Sequence, residues 1–213
     1  MWSGGETMRY YIADLHFYHD ALNEYMDKRG FASVEEMNEH IIAKWNAKVR
    51  KNDEVIILGD VSMGNPEQTT ELLKRLKGKL FLIEGNHDDR YLTKDFDTSM
   101  FGWIKPYAEL SDNRRKVVLC HYPIMFYNGQ YRQFEDGTPK AYMLYGHVHD
   151  TMDQKLMERF INETRNTTIT RPDGTTFNIQ CNMINCFCMY SDYTPLTLDE
   201  WIELDKQRKN NVE

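Results

Sequence analysis

Five short apolar runs, at residues 10–13, 54–58, 79–83, 117–120 and 141–145, are each followed at once by side chains that bind hard or borderline metals. Apart from Glu54 and Lys79 at their first positions, the runs are continuously apolar and bounded by turn residues, which predicts strands buried on both faces. Helical signals lie between them. Ser33 and Glu36 form a capping box, behind which Val34, Met37, Ile41, Trp45 and Val49 recur at helical spacing. Asn65-Pro66 opens a second helix with an apolar face of Leu72, Leu73 and Leu76, which Gly78 should end. Strands alternating with helices predict an α/β layered fold.

The last third is less regular. Residues 151–170 are polar and give no clear element. Arg171-Pro172-Asp173-Gly174 predicts a hairpin turn between strands at 167–170 and 175–179. A further strand is expected at 183–189 and a short helix at 198–204, followed by a charged tail. No linker or internal repeat divides the 213 residues, so a single domain, 1–213, is expected.

With 26 basic and 33 acidic residues the net charge is −7, which excludes a polybasic arm as the main grip on nucleic acid. A local basic patch is not excluded. No stretch reaches the roughly 18 apolar residues of a membrane span. The N-terminal residues lack the basic and apolar regions of a secretion signal, with Met8 an alternative start and residues 1–7 a candidate extension. Cys120, Cys181, Cys186 and Cys188 form no CxxC pair, so reduced thiols and a cytoplasmic location are expected.

The carboxyl ends of strands in an open α/β sheet gather along one edge. Five segments would therefore deliver Asp14, His16, Asp60, Asn86, His121, His147 and His149 to one crevice. Asp14 and His16 are two residues apart, as are His147 and His149, a period that puts both side chains of a pair on one side of a strand. Glycines 59, 85 and 146 permit close backbone approach. Seven ligands are too many for one ion and suit two. Nitrogen and oxygen donors without thiolate favour Mn, Fe, Zn or Co. Two divalent ions about 3.5–4 Å apart are the usual clamp for displacement at phosphorus.

In these residues the chain resembles the calcineurin-like metallophosphoesterase superfamily, in the manner of its small bacterial and phage members. The motifs are Asp14-x-His16, Gly59-Asp60, Gly85-Asn86-His87-Asp88, His121 and Gly146-His147-x-His149, in order over residues 10–149. Tyr193-x-Pro195 is similar to the closing strand of such proteins. The resemblance implies a single α-β-β-α domain, a layered β-sandwich flanked by helices. It implies two divalent ions, Mn first, with Fe, Zn, Ni or Co as alternatives. Asp14, His16 and His149 would hold one ion, Asn86, His121 and His147 the other, and Asp60 would bridge them. His87 would face the phosphate or leaving oxygen, and Asp88 would orient His87. The implied reaction is hydrolysis of a phosphoester by a hydroxide bridging the ions. Many relatives carry a further acidic residue soon after the Gly-Asp pair; here the chain reads Val61-Ser62-Met63-Gly64.

His19 is a candidate for metal, for substrate phosphate or for a structural cap at the rim, and Arg90 for an anionic substrate or for plain surface. Tyr122, Phe126, Tyr127, Tyr131 and Tyr142 could stack on a base or simply pack. The 24 residues from 122 through 145 leave no room for a capping domain, which favours an open crevice. The expected substrate is a phosphodiester or a broad set of small phosphoesters or nucleotides, with nucleic acid not favoured. A phosphomonoesterase and a non-catalytic metal-binding scaffold are the alternatives.

Overall fold

In the computed structural model, which describes residues 7–210, β1 (Arg9–Ile12), β2 (Glu54–Ile57), β3 (Lys79–Ile83) and β4 (Phe101–Lys105) pair in parallel in that order. A second sheet follows, formed by β5 (Tyr107–Asp112), β6 (Arg115–Cys120), β7 (Ala141–Tyr145) and, after the hairpin of β8 (Thr168–Thr170) and β9 (Thr176–Asn178), β10 (Met183–Asn185). Its order is β10-β7-β6-β5, with only the β5–β6 pair antiparallel. Readings that fall on residues 1–6 and 211–213 lie outside the described residues.

Side-chain alternation builds the layers. Tyr11, Ile56 and Leu58 face Val117, Leu119, Tyr142 and Leu144 across the gap between the sheets. Their neighbours Tyr10, Ile12, Val55 and Ile57 face outward onto α1 (Val34–Lys48) and α2 (Pro66–Leu73), through Met37, Ile41, Trp45 and Leu72. Val118, Met143 and Tyr145 pack instead on Met157 and Ile161 of α3 (Met152–Asn166). The result is the expected α-β-β-α sandwich, with α4 (Leu198–Asn210) set against β1 and β10. Among the described residues no helix is long and apolar enough to cross a membrane.

Several sequence expectations need correction. The region 151–170, left without an element, is mostly α3. Its buried positions are Gln154, Met157, Ile161 and Thr164, so half of the inward stripe is polar and the apolar period is broken. Gln154 Oε1 accepts from Tyr145 Oη at 3.0 Å and from Asn185 Nδ2 at 3.0 Å, which pays for its burial. β4 and β5 are edge strands with exposed positions, and their sequence carries no continuous apolar run. α2 ends at Leu73 rather than near Gly78, because Arg75 and Leu76 close a tighter turn onto Leu72 and Leu73. The Ser33 cap receives Glu36 N, but the Glu36 carboxylate reaches Ala32 N instead of the Ser33 backbone.

Tyr193-x-Pro195 is not a closing strand: Asp192 and Tyr193 take left-handed turns, and only Leu196 bridges to Tyr11. The expected strand at 183–189 stops at Asn185. The chain beyond it still seals the outer edge of β1. Ala13 N donates to Cys186 O at 2.8 Å and Cys188 N to Ala13 O at 3.0 Å, while Tyr11 and Leu196 exchange both backbone bonds. This covers an edge otherwise open to pairing and ties the two sheets together.

Trp201 of α4 is 1% exposed and donates from Nε1 to Tyr11 O at 2.8 Å. Trp201→Ala is expected to destabilise the fold by about 3–5 kcal/mol, the usual cost of emptying a large aromatic site. Urea unfolding measures it, and a loss below about 1 kcal/mol would show that α4 is not stapled to β1.

Candidate metal centre

Every expected ligand lies just past a strand end. Asp14 and His16 follow β1, Asp60 follows β2, Asn86 follows β3, His121 follows β6, and His147 and His149 follow β7. The reason paired residues converge differs from the strand-pleat expectation. β1 ends at Ile12, and Asp14, His16, Asp60, His147 and His149 all have left-handed backbones, with φ of 57°, 49°, 55°, 70° and 46°. Such conformations are unfavourable for non-glycine residues and persist only where surrounding contacts fix them. Here Asp14 N donates to Gly59 O at 3.1 Å, His16 N to Asp60 O at 2.9 Å and Phe17 N to Val61 O at 2.9 Å, so the loops after β1 and β2 hold each other. Close approach requires glycine beside the cluster. A Cβ on Gly59, whose φ is +86°, would sit 2.4 Å from His121 Nδ1, and one on Gly146 would sit 2.6 Å from Asp14 Oδ2.

The side chains form two adjoining groups, Asp14–His16–His149 and Asp14–Asp60–His121. In the first, Nε2 of His16 and Nε2 of His149 are 3.2 Å apart, and His149 Nε2 is 3.7 Å from Asp14 Oδ1. In the second, His121 Nε2 lies 3.5 Å from Asp60 Oδ2. Asn86 Oδ1 extends this group, 3.1 Å from His121 Nε2 and 2.9 Å from His147 Nδ1. Asp60 Oδ2 is also 3.5 Å from His16 Nε2, so this carboxylate stands between the groups.

Hydrogen bonds fix which ring nitrogens are free. His121 Nδ1 donates to Leu58 O at 2.7 Å, and His149 Nδ1 donates to Asp27 Oδ1 at 2.8 Å. When these rings are neutral, the lone pairs of both Nε2 atoms point into the cluster. One meets the Nε2 of His16, the other the carboxamide oxygen of Asn86. In that state acceptor faces acceptor in both places, and the positive charge needed between the atoms is either a proton on Nε2 of His121 and His149 or a bound cation. A proton on His16 is a poor source, because burial pushes its pKa well down. Burial also lowers His147, and the His121 charge adds to that effect. Burial opposes charge on His121 and His149, but the carboxylates of Asp60 and Asp14, and of Asp27 and Asp14, overcome it and raise both. Burial raises the Asp14 carboxyl. For Asp60 burial is outweighed by His121, His16 and the His87 N–H, which hold it well below the usual range. Nitrogen and oxygen donors of this mixture fit borderline divalent cations. None of the four cysteines belongs to either group, and all four are free thiols.

Four further candidates fall around this cluster. His87 is half-buried, its backbone N–H donates to Asp60 Oδ1 at 2.8 Å, and its ring centroid is 5.5 Å from that of His16. Asp88 does not orient His87. Its carboxylate is fully buried and accepts from Gly85 N, Asp60 N and Val61 N at 2.8–3.0 Å, so it pins two ligand-bearing loops; burial pushes its pKa up to about 6 despite those donors. His19 belongs to neither ligand group. Its Nδ1 accepts from Leu22 N at 3.3 Å and caps the next turn, while burial and then the His87, Arg29 and Arg90 charges lower its pKa. Arg90 is exposed at the rim. Of the aromatics, Tyr127 and Tyr142 are core residues, whereas Phe126 and Tyr131 are exposed. Tyr122, also exposed, sits edge-on to His147 with centroids 4.5 Å apart.

Four residues escaped sequence reasoning. Asp27 orients His149, and the buried Arg29 holds Asp27 Oδ2 while donating to Leu15 O at 2.7 Å and Asp14 O at 3.0 Å. Phe187 stacks on His149 at 4.7 Å, and Cys188 Sγ donates to Asp14 O at 3.1 Å. No spacing rule links these residues to the ligands; only the folded chain brings them together.

The sequence profile of calcineurin-like phosphoesterases matches residues 10–210. The chain belongs to that family. It is 30% identical over 203 residues to the uncharacterized protein MJ1445 of Methanocaldococcus jannaschii, covering 94% of this chain and 92% of that protein. It is 27% identical over 167 residues to the Gene 66 protein of Mycobacterium phage L5, covering 67% of this chain and 78% of the phage protein. Among solved structures, a protein of unknown function, AQ665 from Aquifex aeolicus, superimposes with a TM-score of 0.61 at 20% identity, over 93% of this chain and all of that one. That likeness concerns the fold alone. The donor set and the family agree on a site suited to divalent metal.

Removing the carboxylate behind His149 tests this arrangement. Asp27→Asn is expected to weaken divalent-metal affinity by about 10–100-fold, as loss of a carboxylate behind a ligating histidine commonly does. Calorimetric titration of metal-free protein with Mn measures it, and unchanged affinity in a variant with wild-type melting would contradict the role given to Asp27.

Proposed function

We propose that the chain acts as a single-domain, metal-dependent phosphoric ester hydrolase on phosphodiesters or a broad range of small phosphoesters, nucleotides included. The observation that carries this reading is the pair of adjoining ligand groups in a calcineurin-like phosphoesterase, with Asp14 common to both and Asp60 between them. In this reading Asp14, His16 and His149 hold one divalent ion, Asn86, His121 and His147 hold a second, and Asp60 reaches both. Mn is the first choice, with Fe, Zn, Ni or Co as alternatives. Two such ions supply Lewis acidity toward phosphoryl oxygens and lower the pKa of water.

The remaining work falls to the chain itself. His87 stands beside the cluster, tethered through its N–H to Asp60, where its imidazole can give a proton to the departing alcohol oxygen. Asp88 keeps the His87 loop against the Asp60 loop through three backbone donors, a positioning role. Tyr122 walls the exposed side near His147. The short 122–145 segment leaves the crevice open on that side, which suits a diester with substituents on both sides of phosphorus.

The test is a metal-by-substrate panel. Metal-free protein given Mn should hydrolyse bis(p-nitrophenyl) phosphate, and the chelated protein should not; failure with every metal and ester would leave only the scaffold reading. His87→Ala should slow an alkyl phosphoester by about 100-fold or more, the usual weight of general acid catalysis, and a nitrophenyl ester far less, because nitrophenolate departs unaided. Equal losses on both esters would remove the acid role.

A further inference from the structure

The segment that follows His121 differs in composition from the rest of the surface. Residues 122–131 carry no charged side chain, in a chain that is 28% charged. Two of them anchor the segment from below. Tyr127 is buried and its Oη accepts from Asn182 N at 2.7 Å, while Ile124 packs on the cluster of Val118, Met143 and Tyr145. Around these anchors Tyr122, Met125 and Phe126 turn outward, 47%, 45% and 69% exposed. Phe126 is braced edge-on by Phe160 of α3, with ring centroids 5.9 Å apart. Exposed apolar side chains grouped beside a crevice mark ligand-binding surfaces.

Tyr122 joins this segment to the ligand cluster. Its ring centroid lies 5.2 Å from that of His121 and 4.5 Å from that of His147, edge-on to both. Those two histidines belong to the second-ion set of the proposed reading. His87 stands instead beside His16, of the other ligand group, at 5.5 Å. Phosphoryl oxygens gain nothing from an uncharged wall, whereas an organic substituent gains by leaving water against it. Two rings and a thioether favour a flat π system over a flexible chain, because stacking and sulfur–aromatic contact add to plain burial.

We propose that Tyr122, extended by Met125 and Phe126, determines specificity for the substituent that lies away from His87, and that this substituent carries a flat aromatic ring of the nucleobase type. The proposal rests on the reading of the metal centre as a phosphoester site: the ions hold the phosphoryl group, the leaving oxygen faces His87, and the ring stacks on Tyr122.

The experiment is calorimetric titration of the Mn-loaded full chain with thymidine 5′-monophosphate, methyl phosphate and hexyl phosphate, which share the phosphoryl group and differ in the substituent. The thymidine ester should bind about tenfold more tightly than either alkyl ester, the scale of one base–aromatic stack. Tyr122→Ala should remove that preference and Tyr122→Phe should keep it, both variants melting as the wild type does. Equal affinity for the three ligands, hexyl phosphate binding as tightly as the nucleotide, or a preference that survives Tyr122→Ala would overturn the proposal. Hydrolysis of p-nitrophenyl esters is measured separately on the same protein. Turnover without the thymidine preference would sink this proposal and spare the phosphoesterase reading; the preference without turnover would do the reverse.

Discussion

Two imidazole nitrogens facing each other at 3.2 Å set the terms for the rest of this molecule. Because Asp27 takes the Nδ1–H of His149, only a second proton on that ring or a bound cation can separate its Nε2 from that of His16. The Asn86 oxygen meets His121 Nε2 in the same way, with Leu58 O accepting the Nδ1–H. Lone pairs turned toward one another inside a low-dielectric site repel strongly unless positive charge lies between them. Protons on His121 and His149 or bound cations can supply that charge, and the surroundings hold the donors in place. Arg29, itself buried, grips Asp27 and the carbonyls of Asp14 and Leu15 from behind.

Holding it costs conformational energy. Five ligand-bearing residues have left-handed backbones, each unfavourable by on the order of 1–3 kcal/mol. A single sheet with exposed loops would let such turns relax. Here the loops after β1 and β2 bond to each other, Asp88 ties the loop after β3 to both β2-loop N–H groups, and Gly146 lies against Asp14. The two sheets bring their carboxyl ends to one place because the segment after β10 closes along β1. Three separate apolar layers then fix the sheets and helices beneath the site.

Much of this was legible before folding was considered. The strands at 79–83 and 141–145 match their expected runs residue for residue, because the buried part of a parallel strand needs a near-continuous apolar sequence. The candidate ligands were legible because each follows such a run. The pairing of Asp14 with His16 came out right for another physical reason, left-handed turns instead of strand pleat. Asp88 looked like a partner of His87 by adjacency, yet its side chain is spent on backbone N–H groups across 27 and 28 positions. Asp27 serves a histidine 122 positions away, a relation no local pattern carries. α3 stayed hidden because Gln154 and Thr164 share its inward face with Met157 and Ile161.

The most direct measurement is anomalous diffraction at the manganese edge from crystals of metal-reconstituted protein. The account predicts two peaks, one among Asp14, His16 and His149, the other among Asn86, His121 and His147, with Asp60 touching both. No peak, or one peak with the Asp60 carboxylate turned away from it, would contradict the account.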